Sequence, residues 1–337
     1  MIGRTVTVDI GINGAFATRR WDDPAHVVAL ASQWGYPYLS VGADCLDPIM
    51  TGAFGEGGTL EQRADRYRES AERYGVTLWD YYTGMITHRS HALASAYPDE
   101  VDAMKTWIRG AMKLCHLMGI ERFGGHWDAM PVELLEDRDA YDRRAGEVRD
   151  HFRALSAEAK QLGITLYNEH MYTPGELPWT LATAEEFLIK GNRDNPNGPI
   201  RLTGDVGHHA GQNYAKWGYT EEDASYTRWL ERFAAQTDII HIQQTTPHAS
   251  HHWPFTDEFN AQGHIQMEKV IEAIRHSVSH YAEEPAASFV PPVDKIVLVF
   301  EYIPGSTTSE AMVSQACRES ARHLRQFVPQ GGLQLPC

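Results

Sequence analysis

TLYNEH at 165–170, IIHIQQ at 239–244 and KIVLVFEY at 295–302 are the stretches that decide how this chain folds. Each is rich in β-branched, aliphatic or aromatic residues and too short for a helix, and each carries an ionisable residue, Glu169, His241 or Glu301. Runs that are apolar on both faces are the mark of parallel strands covered on both sides. Working outward, similar runs lie near 6–12, 38–43, 77–83, 122–127 and 200–206. Longer amphipathic stretches follow each strand, near 24–34, 60–74, 98–118, 135–162, 182–190, 221–236, 267–281 and 309–327. Gly75, Gly119 and Gly163 fall where three of these helices should stop, at the left-handed position that glycine occupies most cheaply.

Eight such alternations, with no Pro/Ser-rich linker between halves, predict one (β/α)8 TIM barrel domain over 1–337. A doubly wound open sheet would be expected to show a GxGxxG turn after its first strand, and GINGAF at 11–16 does not supply one. The longest non-periodic segments, 44–58, 84–97, 171–181, 207–220 and 245–265, all follow strands, on the barrel face that carries chemistry. The last of them is aromatic, holds four of the chain's 17 histidines and reads as a lid or binding loop.

Composition narrows the function. The 337 residues carry 30 Lys+Arg against 45 Asp+Glu, a net charge of −15, which argues against gripping a phosphate backbone and makes nucleic acid an unexpected partner. Cys45, Cys115, Cys317 and Cys337 have no metal-ribbon or disulfide-framework spacing, so a reducing cytoplasm is the expected location. No window approaches the roughly 18 uninterrupted apolar residues of a membrane span, and neither a membrane anchor nor a leader is expected.

The ionisable residues sit in register. Glu169, Asp205, His241 and Glu301 fall in four consecutive strands, at or near their C-terminal ends. A carboxylate in an apolar strand is costly to bury unless it is paired, hydrogen-bonded or bound to a metal. Three carboxylates and one imidazole make an oxygen-rich donor set for one divalent ion, suiting Mn²⁺, Mg²⁺ or Co²⁺ better than a thiolate-preferring metal, and the absence of cysteine argues against structural zinc. The competing reading is a buried salt-bridge network without an ion. His208, just past strand six, is placed to hydrogen-bond a substrate oxygen or to support its neighbours. Trp127, beside His126 in GGHW at 124–127, suits the face of a sugar ring, with packing in the core as the alternative. Gln243 shares the inward face with His241 and counts as a substrate contact, whereas Gln244 points to the helices. No GxxxxGK[ST] or GxSxG motif is present.

With these residues placed, the chain resembles the xylose-isomerase-like TIM barrels, a superfamily of sugar isomerases, ketose 3-epimerases and endonuclease IV. The resemblance covers the whole chain in architecture, and its specific part is YNEH at 167–170, GDVGH at 204–208, HIQ at 241–243 and FEY at 300–302. It implies a divalent-metal-dependent sugar isomerase or epimerase working through an enediolate. Glu169, Asp205, His241 and Glu301 would be the metal ligands, Glu169 and Glu301 the proton-transfer pair, and His208 a ligand to substrate oxygen. Two features depart from the epimerase pattern: Gln243-Gln244 follow, where a Gly-Glu is usual after the strand-seven histidine, and no Arg occurs between Arg232 and Arg275. Endonuclease IV would need a basic DNA face and further zinc ligands, against the acidic charge.

The Gln-Gln-Thr-Thr stretch at 243–246, the aromatic loops and MYTPGELPW at 171–179 are also similar to the catalytic subunit of bacterial C-glycoside deglycosidases. Those Mn²⁺ lyases act on 3-oxo-glycosides. On that reading His126 is a reserve catalytic base beside an incoming aglycone, and a small second subunit would complete a hetero-oligomer; the isomerase reading implies a homo-oligomer. A third alternative is a non-catalytic sugar-binding barrel that keeps the site as a remnant.

Overall fold

The computed structural model describes residues 4–49 and 59–337. The expected long segment 44–58 therefore lies partly outside the described residues. Eight parallel strands close on themselves: β1 (Thr5–Asn13), β2 (Tyr38–Gly42), β3 (Thr77–Tyr82), β4 (Arg122–Gly124), β5 (Thr165–Glu169), β6 (Arg201–Asp205), β7 (Ile239–Ile242) and, after a hairpin of β8 (Gln244–Thr246) and β9 (Ala249–Trp253), β10 (Lys295–Phe300). Closure is the parallel pairing of β10 with β1, Val8 opposite Ile296 and Ile12 opposite Phe300. This is the expected (β/α)8 TIM barrel.

Helices α1 (Pro24–Trp34), α2 (Thr59–Tyr74), α3 (Pro98–Met118), α4 (Arg138–Gln161), α5 (Leu181–Asn192), α6 (Tyr226–Phe233), α7 (Asp257–Gln262), α8 (Met267–His280) and α9 (Glu310–Leu324) occupy the connections. Their ends follow local chemistry. Asp23 accepts a hydrogen bond from the Ala25 amide with Pro24 at the first turn of α1, and α3 stops at Gly119, φ 72°. None of the described helices is long and apolar enough to cross a membrane.

Strand alternation divides the core. Ile296, Leu298 and Phe300 join the large cluster beneath the helices, while Val297 and Val299 meet Trp79, Tyr167 and Ile239 inside the barrel. The inward series then continues to Glu301 on the segment after β10, His241 on β7, Glu169 on β5 and Asp205 on β6, all buried. A packed apolar floor therefore supports a polar layer at the C-terminal mouth.

Three features differ from the sequence expectation. Segment 245–265 is no open loop, because β8 and β9 pair antiparallel, Gln244 opposite Trp253, and α7 follows. At the other end of the chain, β11 (Leu333–Pro336) pairs antiparallel with the start of β1, Val6 opposite Leu335. It covers backbone groups that β2 leaves free, since β2 begins pairing only at Gly11. Finally, β4 ends at Gly124 rather than at 127: Gly125 adopts φ 125° so close to Thr83 that an added Cβ would lie 2.1 Å from its hydroxyl oxygen. That approach lets the Thr83 hydroxyl accept the His126 amide at 3.0 Å.

Candidate active site

Four side chains converge at the mouth of the barrel. His241 turns Nδ1 to Glu169 Oε1 at 2.9 Å and to Glu301 Oε2 at 3.7 Å. One ligand-type atom each from Glu169, Asp205 and His241 lie within 4.8 Å of one another. Glu169 and His241 are fully buried, and Asp205 and Glu301 nearly so. The structure thus brings together the four residues that the sequence placed in register, with Glu301 meeting the other three at His241.

The electrostatics follow from that crowding. Burial alone would strip the charge from His241, but the Glu301 carboxylate and the hydrogen bond to Glu169 outweigh it and lift the imidazole to about 10. Burial likewise pushes Glu301 up, yet His241 and His252 hold it at about 2. Asp205 is raised, because burial dominates and the other two carboxylates add to it. Glu169 ends below the usual range once burial is overcome by the bond to His241. Three buried carboxylates crowd the ring of His241 and favour positive charge there. Carboxylates and an imidazole are a donor set that suits a divalent cation, and His241 Nε2 is left buried without a hydrogen-bond partner.

Several residues outside the quartet fix it. Tyr82, at the end of β3, donates its hydroxyl to Glu169 Oε2, and its ring stands edge-on to His241 at 4.9 Å. Asn13 Nδ2 donates to Glu301 Oε1 at 3.1 Å. His252, on β9, sets Nε2 3.2 Å from Glu301 Oε2 and takes φ 52°, an unusual backbone angle for a residue other than glycine. These three were not visible in the sequence. A cavity of about 240 Å³ opens over the site, lined by Asn13, Tyr82, His88, Glu176, His208, His252 and Glu301 among others.

The remaining predicted site residues fall in different places. His208 lines this cavity; its Nδ1 meets the His170 carbonyl at 2.9 Å and its Nε2 lies 3.4 Å from Asp205 Oδ2. Gln243 is fully buried and acts on the protein rather than on a substrate, which corrects the expected contact. Its Nε2 donates to both Asp205 oxygens at 3.2 Å, and its Oε1 accepts the His252 amide at 2.7 Å and the Ser250 hydroxyl at 3.2 Å.

Trp127 is also corrected: it lies fully buried between Phe123 and Phe152, with ring centroids at 4.7 and 5.1 Å. Its indole N–H is spent on the Tyr167 carbonyl at 2.8 Å, so no face is free for a sugar. His126 is fully buried and stacked on His88 at 4.7 Å, and it is not part of the cavity lining.

The class follows from barrel and site together. Residues 28–281 match the profile of the xylose isomerase-like TIM barrel, and the chain belongs to that family. Among solved structures it is similar to a Rhodospirillum rubrum ATCC 11170 protein provisionally named a xylose isomerase, at 19% identity and TM-score 0.79, over 96% of this chain and 100% of that one. It is similar to a D-psicose 3-epimerase crystallised in the presence of D-fructose, at 14% identity and TM-score 0.63, over 96% and 99%. A third is the Escherichia coli 3-keto-D-glucoside 4-epimerase, at 12% identity and TM-score 0.60, over 95% and 99%. These likenesses show the fold. A comparison with curated protein sequences gives no match.

Proposed function

We propose that this protein is a divalent-metal-dependent sugar isomerase or epimerase that moves a proton next to a carbonyl. The observation that carries the reading is the meeting of Glu169, Asp205, His241 and Glu301 beneath a small cavity. The solved epimerases of the same fold support it. A divalent ion, Mn²⁺ by preference, held by these four residues would supply Lewis-acid polarisation of a carbonyl oxygen and its neighbouring hydroxyl.

The protein's own groups do the rest. One of Glu169 and Glu301 removes the proton from the carbon beside the carbonyl, the C–H pair becomes a C=C bond as the carbonyl π pair moves to oxygen to give an enediolate, and a proton returns to the opposite face or to the adjacent carbon. Tyr82 and Asn13 keep each glutamate aimed, and His208 offers a polar contact for a substrate oxygen. The same reading includes a cytoplasmic homo-oligomer acting on a small sugar.

A second reading, a lyase that expels the aglycone of a 3-oxo-glycoside, draws support from the apolar rim of the cavity. Met85 and Ile303, 45% and 40% exposed, line its wall, and a free sugar makes little use of them. The Mn²⁺-loaded protein should be incubated separately with ketohexoses and with 3-oxo-glycosides of phenols, and the products separated. An epimeric or isomeric sugar supports the first reading and a free phenol the second. Recovery of every substrate unchanged by correctly folded, loaded protein would count against both.

A further inference from the structure

We propose that His88, His126 and Glu176 form a second divalent-cation site, of zinc type, in the wall of the same cavity. The three side chains come from separate connections, after β3, β4 and β5. One ligand-type atom from each lies within 4.8 Å of the others. Glu176 Oε1 is 3.3 Å from His88 Nδ1 and 3.8 Å from His126 Nε2. Ligands about 2.0–2.2 Å from a shared tetrahedral ion stand at roughly these separations from one another. Two imidazoles and one carboxylate are a borderline donor set that prefers Zn²⁺ or Co²⁺ to the harder ions suited to the carboxylate-rich quartet.

His126 distinguishes a ligand site from a mere ion pair. His88 and Glu176 satisfy each other, and that pair needs nothing more. His126, by contrast, is fully buried with neither ring nitrogen hydrogen-bonded, a state proteins seldom tolerate in a polar group. The Thr83–Gly125 approach holds its backbone, and its Nε2 stands 3.8 Å from Glu176 Oε1. His88 and Glu176 both line the cavity, which leaves an ion held here open to a ligand from solvent or substrate. The rings of His88 and His126 are nearly parallel, at 8°, so binding requires His88, the more exposed of the two, to rotate about its side-chain bonds and exchange its proton for the ion. No ligand is shared with the quartet, and the proposal stands whether or not the proposed reaction does.

The test is a count of bound Zn²⁺. All chains should carry His276→Ala and His280→Ala, which remove the exposed histidine pair on α8. They are stripped of metal, equilibrated with excess Zn²⁺, desalted and analysed for zinc per chain, with melting curves as the check on folding. The parent should hold two ions, and Glu176→Gln and His88→Ala one each. Asp205→Asn should lose the other ion and keep this one, and Asp205→Asn with Glu176→Gln should keep neither. If Glu176→Gln and His88→Ala, both folded, retain as much zinc as the parent, the second site does not exist. Loss in Asp205→Asn alone would then leave the quartet as the single site.

Discussion

Replacing Gln243 by Met tests whether the floor of the site is held by one amide. The two side chains are close in volume, so the change deletes hydrogen bonds without opening a large void. Gln243 Nε2 donates to both oxygens of a buried Asp205, a bond to a charged group worth about 1.5–3 kcal/mol. Its Oε1 accepts the His252 amide at 2.7 Å, and stranding that donor costs a further ~1–3 kcal/mol. The Ser250 hydroxyl, only half-buried, finds water and adds little. Gln243→Met should therefore lower stability by about 2.5–6 kcal/mol, a large share of an ordinary domain's total. It should also free the β8–β9 hairpin, and with it His252, from Glu301. Urea denaturation of the metal-free protein measures the first effect. A loss below about 1 kcal/mol would refute the argument that Gln243 braces Asp205 and the hairpin.

Tyr82→Phe removes the donor to Glu169 Oε2; it should leave the fold intact, cost about 1.5–3 kcal/mol in urea and slow proton transfer more than it weakens substrate binding, seen as a fall in kcat at little-changed KM. Trp127→Ala empties a site between Phe123 and Phe152 and should cost about 3–5 kcal/mol, while KM for any substrate stays as in the wild type. Asp128 is fully buried, and burial raises it from 3.8 to about 8. The folded state thus binds its proton more tightly than the unfolded state does, and stability should fall as pH rises from about 4 to about 8. Asp128→Asn should flatten that decline in melting temperature measured across this range; an unchanged slope would count against a buried, neutral Asp128.

Much of the barrel was legible because local and global signals agree. α1 spans Pro24–Trp34 and Gly119 closes α3 where the sequence put them. The quartet was legible because charge inside an apolar strand is rare enough to require a reason. Tyr82 was hidden by a register shift: Leu39 pairs with Leu78 but Ser40 with Asp80. The bulge lets both Trp79 and Tyr82 face the barrel interior, where counting by twos from Trp79 would turn Tyr81 inward. His252 depends on a hairpin without an Asn-Gly or Asp-Gly turn, closed instead around Pro247-His248. Trp127 is a different lesson. Alternation from Phe123 already sets it on the helix side, and its nearness to His126 in sequence gave it a role that its direction forbids.

Glu169, Asp205, His241 and Glu301 are proposed to hold one ion. Crystals of the protein loaded with Mn²⁺ and measured at the manganese absorption edge would test it most directly. One anomalous peak should stand among these four side chains, about 2.0–2.4 Å from a donor atom of each. A fully loaded crystal with no peak there, or a peak bound by fewer than three of the four, would contradict it.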